Sequence, residues 1–262
     1  MKKTIAFKGS EIVYSDTGQG EVLFFLHGYL ETKEIWEEFT PQFQKDYRII
    51  SLDIPGHGES HEWGSEHTMD DIASLILFIL DTEGIKTFYL VEHSMGGYIV
   101  MAFADLYRER LKGYALFHST CFADSEEKRL NRDREISLIK CGKKHQIINV
   151  NIPKAFADDN LEKFEVQLEK LKRIALSCSD DGTVALLNGM KIRPDRSHIL
   201  AKEDLPVLLI GGKHDNYIPE EVFEKLRHIA PHARVLILNK SGHMGFIEES
   251  RIVSDTLLSW LK

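Results

Sequence analysis

The stretch Leu90–Val100, LVEHSMGGYIV, decides how this chain is read. Upstream, TFYLV is the β-branched and aromatic text of a buried strand. Downstream, GYIVMAFADLY reads as a helix, and Ser94 stands at the junction. A strand that turns sharply into a helix at a serine aims the hydroxyl away from the backbone. It also places the next N–H groups at a helix N-terminus, where they attract negative charge. The pattern for such a turn is G-x-S-x-G, yet Glu92 occupies the place of the first small residue. S-x-G-G alone is equally an ordinary turn, so the flanking sequence has to decide.

Working outward, short apolar runs alternate with longer amphipathic ones. EVLFFLHG, YRIISLDIPG, KTFYLVEHS, LKGYALFHST, LPVLLIGG and ARVLILNKSG end mostly at Gly, Asp, His or Ser. Their continuous hydrophobicity, without period-2 alternation, predicts strands buried on both faces of a parallel sheet. The opening KTIAFKGSEIVYSDTG alternates and predicts an antiparallel hairpin at the sheet edge. MDDIASLILFILDTEG opens after Thr68 with two aspartates and ends at Gly84, the marks of helix termini. GGYIVMAFADLYRER closes on basic residues, and PEEVFEKLRHIAP places Pro219 in its first turn. Strand–helix alternation of this kind predicts an α/β fold: a mostly parallel, doubly wound sheet of about eight strands with right-handed crossovers.

One region breaks the rhythm. From 121 to 200 there is charged helical text and no convincing strand. Leu161, Phe164, Leu168, Leu171 and Ile174 fall at spacings of three and four. The expected organisation is a core from 1–120 and 201–262, with 121–200 as a helical cap over the edge where open α/β sheets bind ligands.

The chain has 262 residues with 43% hydrophobic and 28% charged side chains, enough for a sizeable core under a polar surface. A net charge of −8 gives no basic footprint for nucleic acid or an anionic membrane. Cys121, Cys141 and Cys178 are odd in number and widely spaced, which indicates neither a zinc site nor a disulfide framework. The N-terminus lacks the apolar run of a signal peptide, and IASLILFIL is roughly nine residues against the ~20 a membrane span requires. A cytoplasmic protein, monomer or homodimer, is expected.

The chemistry gathers at strand ends. A serine hydroxyl becomes a nucleophile only when a base removes its proton, and the base needs a third group to orient it. VLLIGGKHDNYIP puts Asp215 just past one strand, and VLILNKSGHMGF puts His243 just past the next. Singly, each is as well a turn former or a loop histidine. In the order Ser94, Asp215, His243, all at C-terminal strand ends, a doubly wound sheet brings them together.

With FFLHGYLETKEIW and SLDIPGHGES added, the sequence resembles the α/β-hydrolase superfamily over essentially its whole length. The resemblance implies a capped serine hydrolase with Ser94, Asp215 and His243 as the triad. The backbone N–H groups of Tyr29 and Met95 would form the oxyanion hole, with neither metal nor cofactor. The segment Asp53–Ser60 matches a structural turn of that family, so His57 is read as structural. A serine nucleophile argues against haloalkane dehalogenases and epoxide hydrolases, which use aspartate. Enol-lactone hydrolases, carbon–carbon hydrolases and the menaquinone-pathway lyase are resembled equally well.

Substrate is expected to meet His27, Gly28, Trp36, His118 and Phe122, with His118 as pocket wall. In EKRLNRDREISLIKCGKKH, Arg132 or Arg134 is the candidate clamp for a substrate carboxylate; the alternative is a solvated helix face. Glu92 departs from the family pattern, and three readings stay open. It is accommodated without harm, it distorts the elbow, or it modulates the site. The expectation is hydrolysis of carboxylic esters or similar small acyl substrates. The alternatives are a lyase or carbon–carbon hydrolase acting on an acidic substrate, and an impaired, ligand-binding relative.

Overall fold

A computed structural model describes residues 1–262. Eight strands form one sheet: β1 (Lys2–Phe7), β2 (Ser10–Gly18), β3 (Glu21–Leu26), β4 (Tyr47–Leu52), β5 (Phe88–His93), β6 (Leu111–Phe117), β7 (Val207–Gly212) and β8 (Arg234–Leu238). Their spatial order is β1-β2-β4-β3-β5-β6-β7-β8. β2 pairs antiparallel with β1 and with β4; every other pairing is parallel. This is the α/β-hydrolase architecture, and it follows from the text. The central β3, β5, β6 and β7 are buried almost end to end, which only continuously apolar strands tolerate. β1 alternates exposed and half-buried residues, as the edge hairpin requires. β8 departs from its reading as a fully buried strand. It forms the other edge, and of its five residues only Leu238 is fully buried.

Ten helices accompany the sheet. α1 (Met69–Thr82) begins where the Thr68 hydroxyl accepts from the Asp71 N–H, at 3.1 Å, and buries its apolar face. α2 (Gly96–Leu106) ends before the basic residues, which instead form a short 3-10 turn at Arg108–Arg110. Between β6 and β7 lie α3 (Glu126–Lys140), α4 (Lys144–Lys154), α5 (Glu165–Ser177), α6 (Asp180–Ile192) and α7 (Ser197–Ala201), with no strand among them. α8 (Glu220–Ile229), α9 (Gly245–Glu248) and α10 (Ser250–Trp260) complete the chain. Pro219 caps α8 from just outside rather than opening its first turn. No helix is long and apolar enough to cross a membrane.

The β6–β7 insertion is fastened to the sheet's C-terminal edge. The His243 N–H donates to the Ala155 carbonyl at 2.6 Å. Glu248 accepts from the Gly242 and Ala157 N–H groups, both at 2.9 Å. A Cβ on Gly242 would stand 2.6 Å from the Ala157 nitrogen, so only glycine lets the two backbones meet.

Candidate active site

Strand β5 delivers Ser94 into the left-handed region, φ 54°, where an L residue is strained. Two anchors hold it: the Ser94 N–H donates to the Phe117 carbonyl at 2.9 Å, and the Ser119 hydroxyl donates to the Ser94 carbonyl at 2.5 Å. The Ser94 Oγ thereby reaches His243 Nε2 at 2.8 Å. His243 Nδ1 in turn meets Asp215 Oδ2 at 2.8 Å and Oδ1 at 3.0 Å. The Asp215 Oδ1 also accepts from the Tyr217 and Ile218 N–H groups, at 2.8 and 2.9 Å. Asp215 is held far below the usual carboxylate range: burial opposes this, but His243 and His118 outweigh it. A carboxylate, an imidazole and a hydroxyl in line constitute a relay in which the hydroxyl proton can pass to the imidazole while the carboxylate fixes the ring. The N–H groups of Tyr29 and Met95, beside Ser94, have no backbone partner.

Glu92 is fully buried. Its Oε1 accepts from the Phe117 N–H at 3.1 Å, while Oε2 has no partner. Burial pushes the carboxyl well above its ordinary range, against the pull of the Phe117 and Gly97 N–H groups, which disfavours a negative charge below the serine. Its extra bulk fits beside Gly96 and Gly97. Of the three readings, the strand geometry favours plain accommodation.

Beneath the elbow runs a pair that the sequence did not single out. His93 Nε2 faces the His243 carbonyl at 2.8 Å, and its Nδ1 faces Glu31 Oε2 at 2.9 Å. A carbonyl only accepts, so Nε2 carries a proton; the carboxylate then holds a second one on Nδ1. His93 is accordingly raised, Glu31 overcoming the opposing effect of burial. Glu31 is lowered, with His93 and the Gly28 N–H outweighing burial. The Gly28 N–H donates to Glu31 at 2.5 Å, so one buried carboxylate ties the His27–Gly28 loop to the elbow.

Ser94 opens into a cavity of about 610 Å³. Its apolar wall includes Leu30, Met95, Leu138, Ile152, Leu171 and Met244. Tyr29, Glu135, Asn151 and Tyr217 supply polar groups, and Lys128, Arg134 and Lys154 supply positive charge. Of the residues expected to meet substrate, Arg132 and Arg134 line this cavity and five others do not. His27 is spent on the backbone, its Nε2 accepting from the Ile54 N–H at 2.9 Å and its Nδ1 donating to the Gly28 carbonyl at 2.8 Å. Gly28 lies behind Glu31. Trp36 is core, its ring tilted against Phe246 with centroids 4.7 Å apart. Phe122 lies in a separate groove beside Glu221 and His228. His118 is not wall: it sits behind the triad, with Nδ1 3.0 Å from Asp215 Oδ2.

The arginines are also less free than expected. Arg132 binds both oxygens of buried Asp124, which Arg193 approaches to 2.7 Å as well. Arg134 is exposed at the cavity mouth, bonded to Asn131 at 3.0 Å. Glu31, His93, Ser119, Glu135 and Tyr217 went unread in sequence. The first two carried a signal, since both lie within the quoted elbow and His-Gly segments.

Comparison with known proteins agrees with this fold. The sequence profile described as the alpha/beta hydrolase fold matches residues 21–250. A thermophilic esterase from Thermogutta terrifontis superposes with a TM-score of 0.94 at 27% identity, covering 100% of this chain and 98% of that one. The 2-hydroxy-6-oxononadienedioate/2-hydroxy-6-oxononatrienedioate hydrolase of Burkholderia vietnamiensis is 28% identical over 95% of this chain and 90% of its own. The dihydrolipoyllysine-residue acetyltransferase component of the acetoin cleaving system of Pseudomonas putida is 27% identical over 93% of this chain, which spans 64% of that protein's length.

Proposed function

The chain belongs to the alpha/beta hydrolase fold family, and we propose that it is a serine hydrolase of carboxylic esters, working through an acyl-enzyme on Ser94. The observation that carries this is the unbroken line from Ser94 Oγ through His243 to Asp215, opening on a cavity with an apolar wall.

His243 Nε2 takes the Ser94 proton as Oγ attacks the ester carbonyl carbon. The carbonyl oxygen becomes an oxyanion, held by the Tyr29 and Met95 N–H groups. The C–O bond to the alcohol breaks, and the alcohol leaves with the proton from His243. Water, deprotonated by the same imidazole, then attacks the acyl carbon and releases Ser94 and the acid. Asp215 holds the imidazole's tautomer and offsets its charge throughout. Residues 121–200 act as the cap and shape the acyl site. Arg132 is engaged by Asp124 and so is not a free clamp for a carboxylate; the apolar wall suits an uncharged acyl group. Glu92 packs beside Gly96 and Gly97 while Ser94 still meets His243, which weakens the chief reason to read the protein as a non-catalytic binder.

A second reading, carbon–carbon bond hydrolysis of an anionic substrate, draws on Lys128, Arg134 and Lys154 around the cavity. The test of the main reading is intact-mass labelling with a fluorophosphonate probe, with Ser94→Ala as control. One adduct, absent from the control, is expected; a folded wild-type protein that takes none would exclude an activated Ser94.

A further inference from the structure

Asp215 is shared by two histidines. His243 Nδ1 donates to it as the base of the relay, and His118 Nδ1 approaches its Oδ2 from the opposite side at 3.0 Å. The second contact has a fixed sense. His118 Nε2 accepts from the Gly245 N–H at 3.2 Å, so the ring proton resides on Nδ1 and points at the carboxylate. His118 is fully buried, outside the substrate cavity, and adopts φ 53°, a conformation seldom taken by a residue of this size. Gly245 opens α9, on the loop that bears His243. One ring therefore spans the acid after β7 and the helix that follows the base.

We propose that His118 is a positioning residue for the catalytic acid: a neutral Nδ1–H donor that fixes Asp215 and tempers its pull on the His243 imidazolium. This rests on the serine-hydrolase reading of Ser94. A donor aimed at a carboxylate takes up part of its charge, leaving less to stabilise the imidazolium that forms during attack. A neutral donor does this without a second positive charge beside the base. Burial holds His118 down at about 4, against the opposing effect of Asp215, so it stays uncharged across the working range.

Other charged and titratable groups surround His243 and stay constant in the comparison. His93 lies 4.9 Å away ring to ring, with Glu31 behind it, and Tyr217 lies 5.0 Å away with Lys154 over its outer face. Ser94 meets Nε2, and Glu248 holds the His243 loop from α9. None of these bonds His118.

The readout is the rate of fluorophosphonate labelling of Ser94 as a function of pH, which requires no knowledge of the substrate. In His118→Phe the profile is expected to reach half-maximum on the order of half a pH unit or more higher. Its plateau is expected roughly tenfold slower, the scale of one hydrogen bond to a charged group. His118→Asn tolerates the left-handed backbone and presents an amide N–H near the Nδ1 position, so it should restore the wild-type midpoint. A folded Phe variant with an unmoved midpoint would overturn the inference, whereas absence of labelling in the wild type would instead sink the reading of Ser94.

A measurement on the unaltered chain decides the matter even where the Phe variant does not fold. Histidine ¹⁵N spectra from pH 5 to 9 are expected to show His118 neutral and protonated on Nδ1. An Nε2–H tautomer, or titration within that range, refutes the proposal.

Discussion

Glu92 Oε1 lies 2.5 Å from the point where a Cβ on Gly97 would stand. The unusual glutamate and the second glycine of the elbow therefore share one space. Gly97→Ala should be poorly tolerated, because the methyl would also meet the Ser119 hydroxyl at 2.1 Å. Overpacking of about 1–3 kcal/mol is expected, read as a lower midpoint in thermal or urea unfolding. A Gly97→Ala variant as stable as wild type would mean that the Glu92 side chain lies elsewhere.

The raised carboxyl of Glu92 has its own signature. Its carboxyl is raised on folding, so its stabilising share is complete below about 4.5, the unfolded value, and falls away as pH climbs toward the folded one. Glu92→Gln keeps the acceptor for the Phe117 N–H but cannot ionise. The variant should match wild type near pH 4.5 and gain on it between pH 5 and 8 in urea-unfolding free energy. Parallel curves would argue that Glu92 does not change its protonation affinity on folding.

Glu31 and His93 titrate in opposite senses. Glu31 is lowered, so its contribution is present above the carboxylate range and lost in acid; His93 is raised, so its contribution is present below about 6.5 and lost as pH rises through its folded value. The pair is strongest between those limits. Glu31→Gln leaves a buried imidazole without its counter-ion, and about 3–5 kcal/mol of stability should go near pH 6. The loss should shrink in alkaline solution, and a pH-independent difference in unfolding midpoint would contradict the charged pair.

Arg132 tests what the cavity admits. Held by Asp124, it should matter as a strut rather than a clamp. Arg132→Met should therefore slow a neutral butyrate ester and an anionic succinate monoester by the same factor, within about threefold, and lower the melting temperature. Selective loss on the succinate ester would restore the carboxylate-clamp account.

The strand ends were the most legible part of this chain. Ser94, Asp215 and His243 could be paired from sequence because each follows an apolar run that reads as a strand, even where, as in β8, the strand proves to be an edge, and sheet topology brings such ends together. His27, His118 and, on a short helical turn beyond β3, Trp36 were misplaced for a shared reason. Closeness to a strand end says that a side chain is near the site, but not whether it faces the cavity or the packing behind it. That depends on single hydrogen bonds such as Ile54 to His27 and Gly245 to His118, which no periodicity encodes. Phe122 differs: it lies in the loop before α3, whose course is set by tertiary contacts rather than by any periodicity. Arg132 and Arg134 do line the cavity, but sequence could not show that Arg132 is tied to Asp124.

The bond from the His243 N–H to Ala155 reaches beyond stability. The segment that lines the Ser94 cavity is spliced to the loop bearing His243, with Gly242 as the point of closest approach. A graft of another protein's lid onto this sheet would therefore replace a ligand of the catalytic loop along with the roof, and lid and chemistry cannot be exchanged as separate modules here. Selection for a new substrate would have to proceed through residues of α3 and α5, which line the cavity away from that joint.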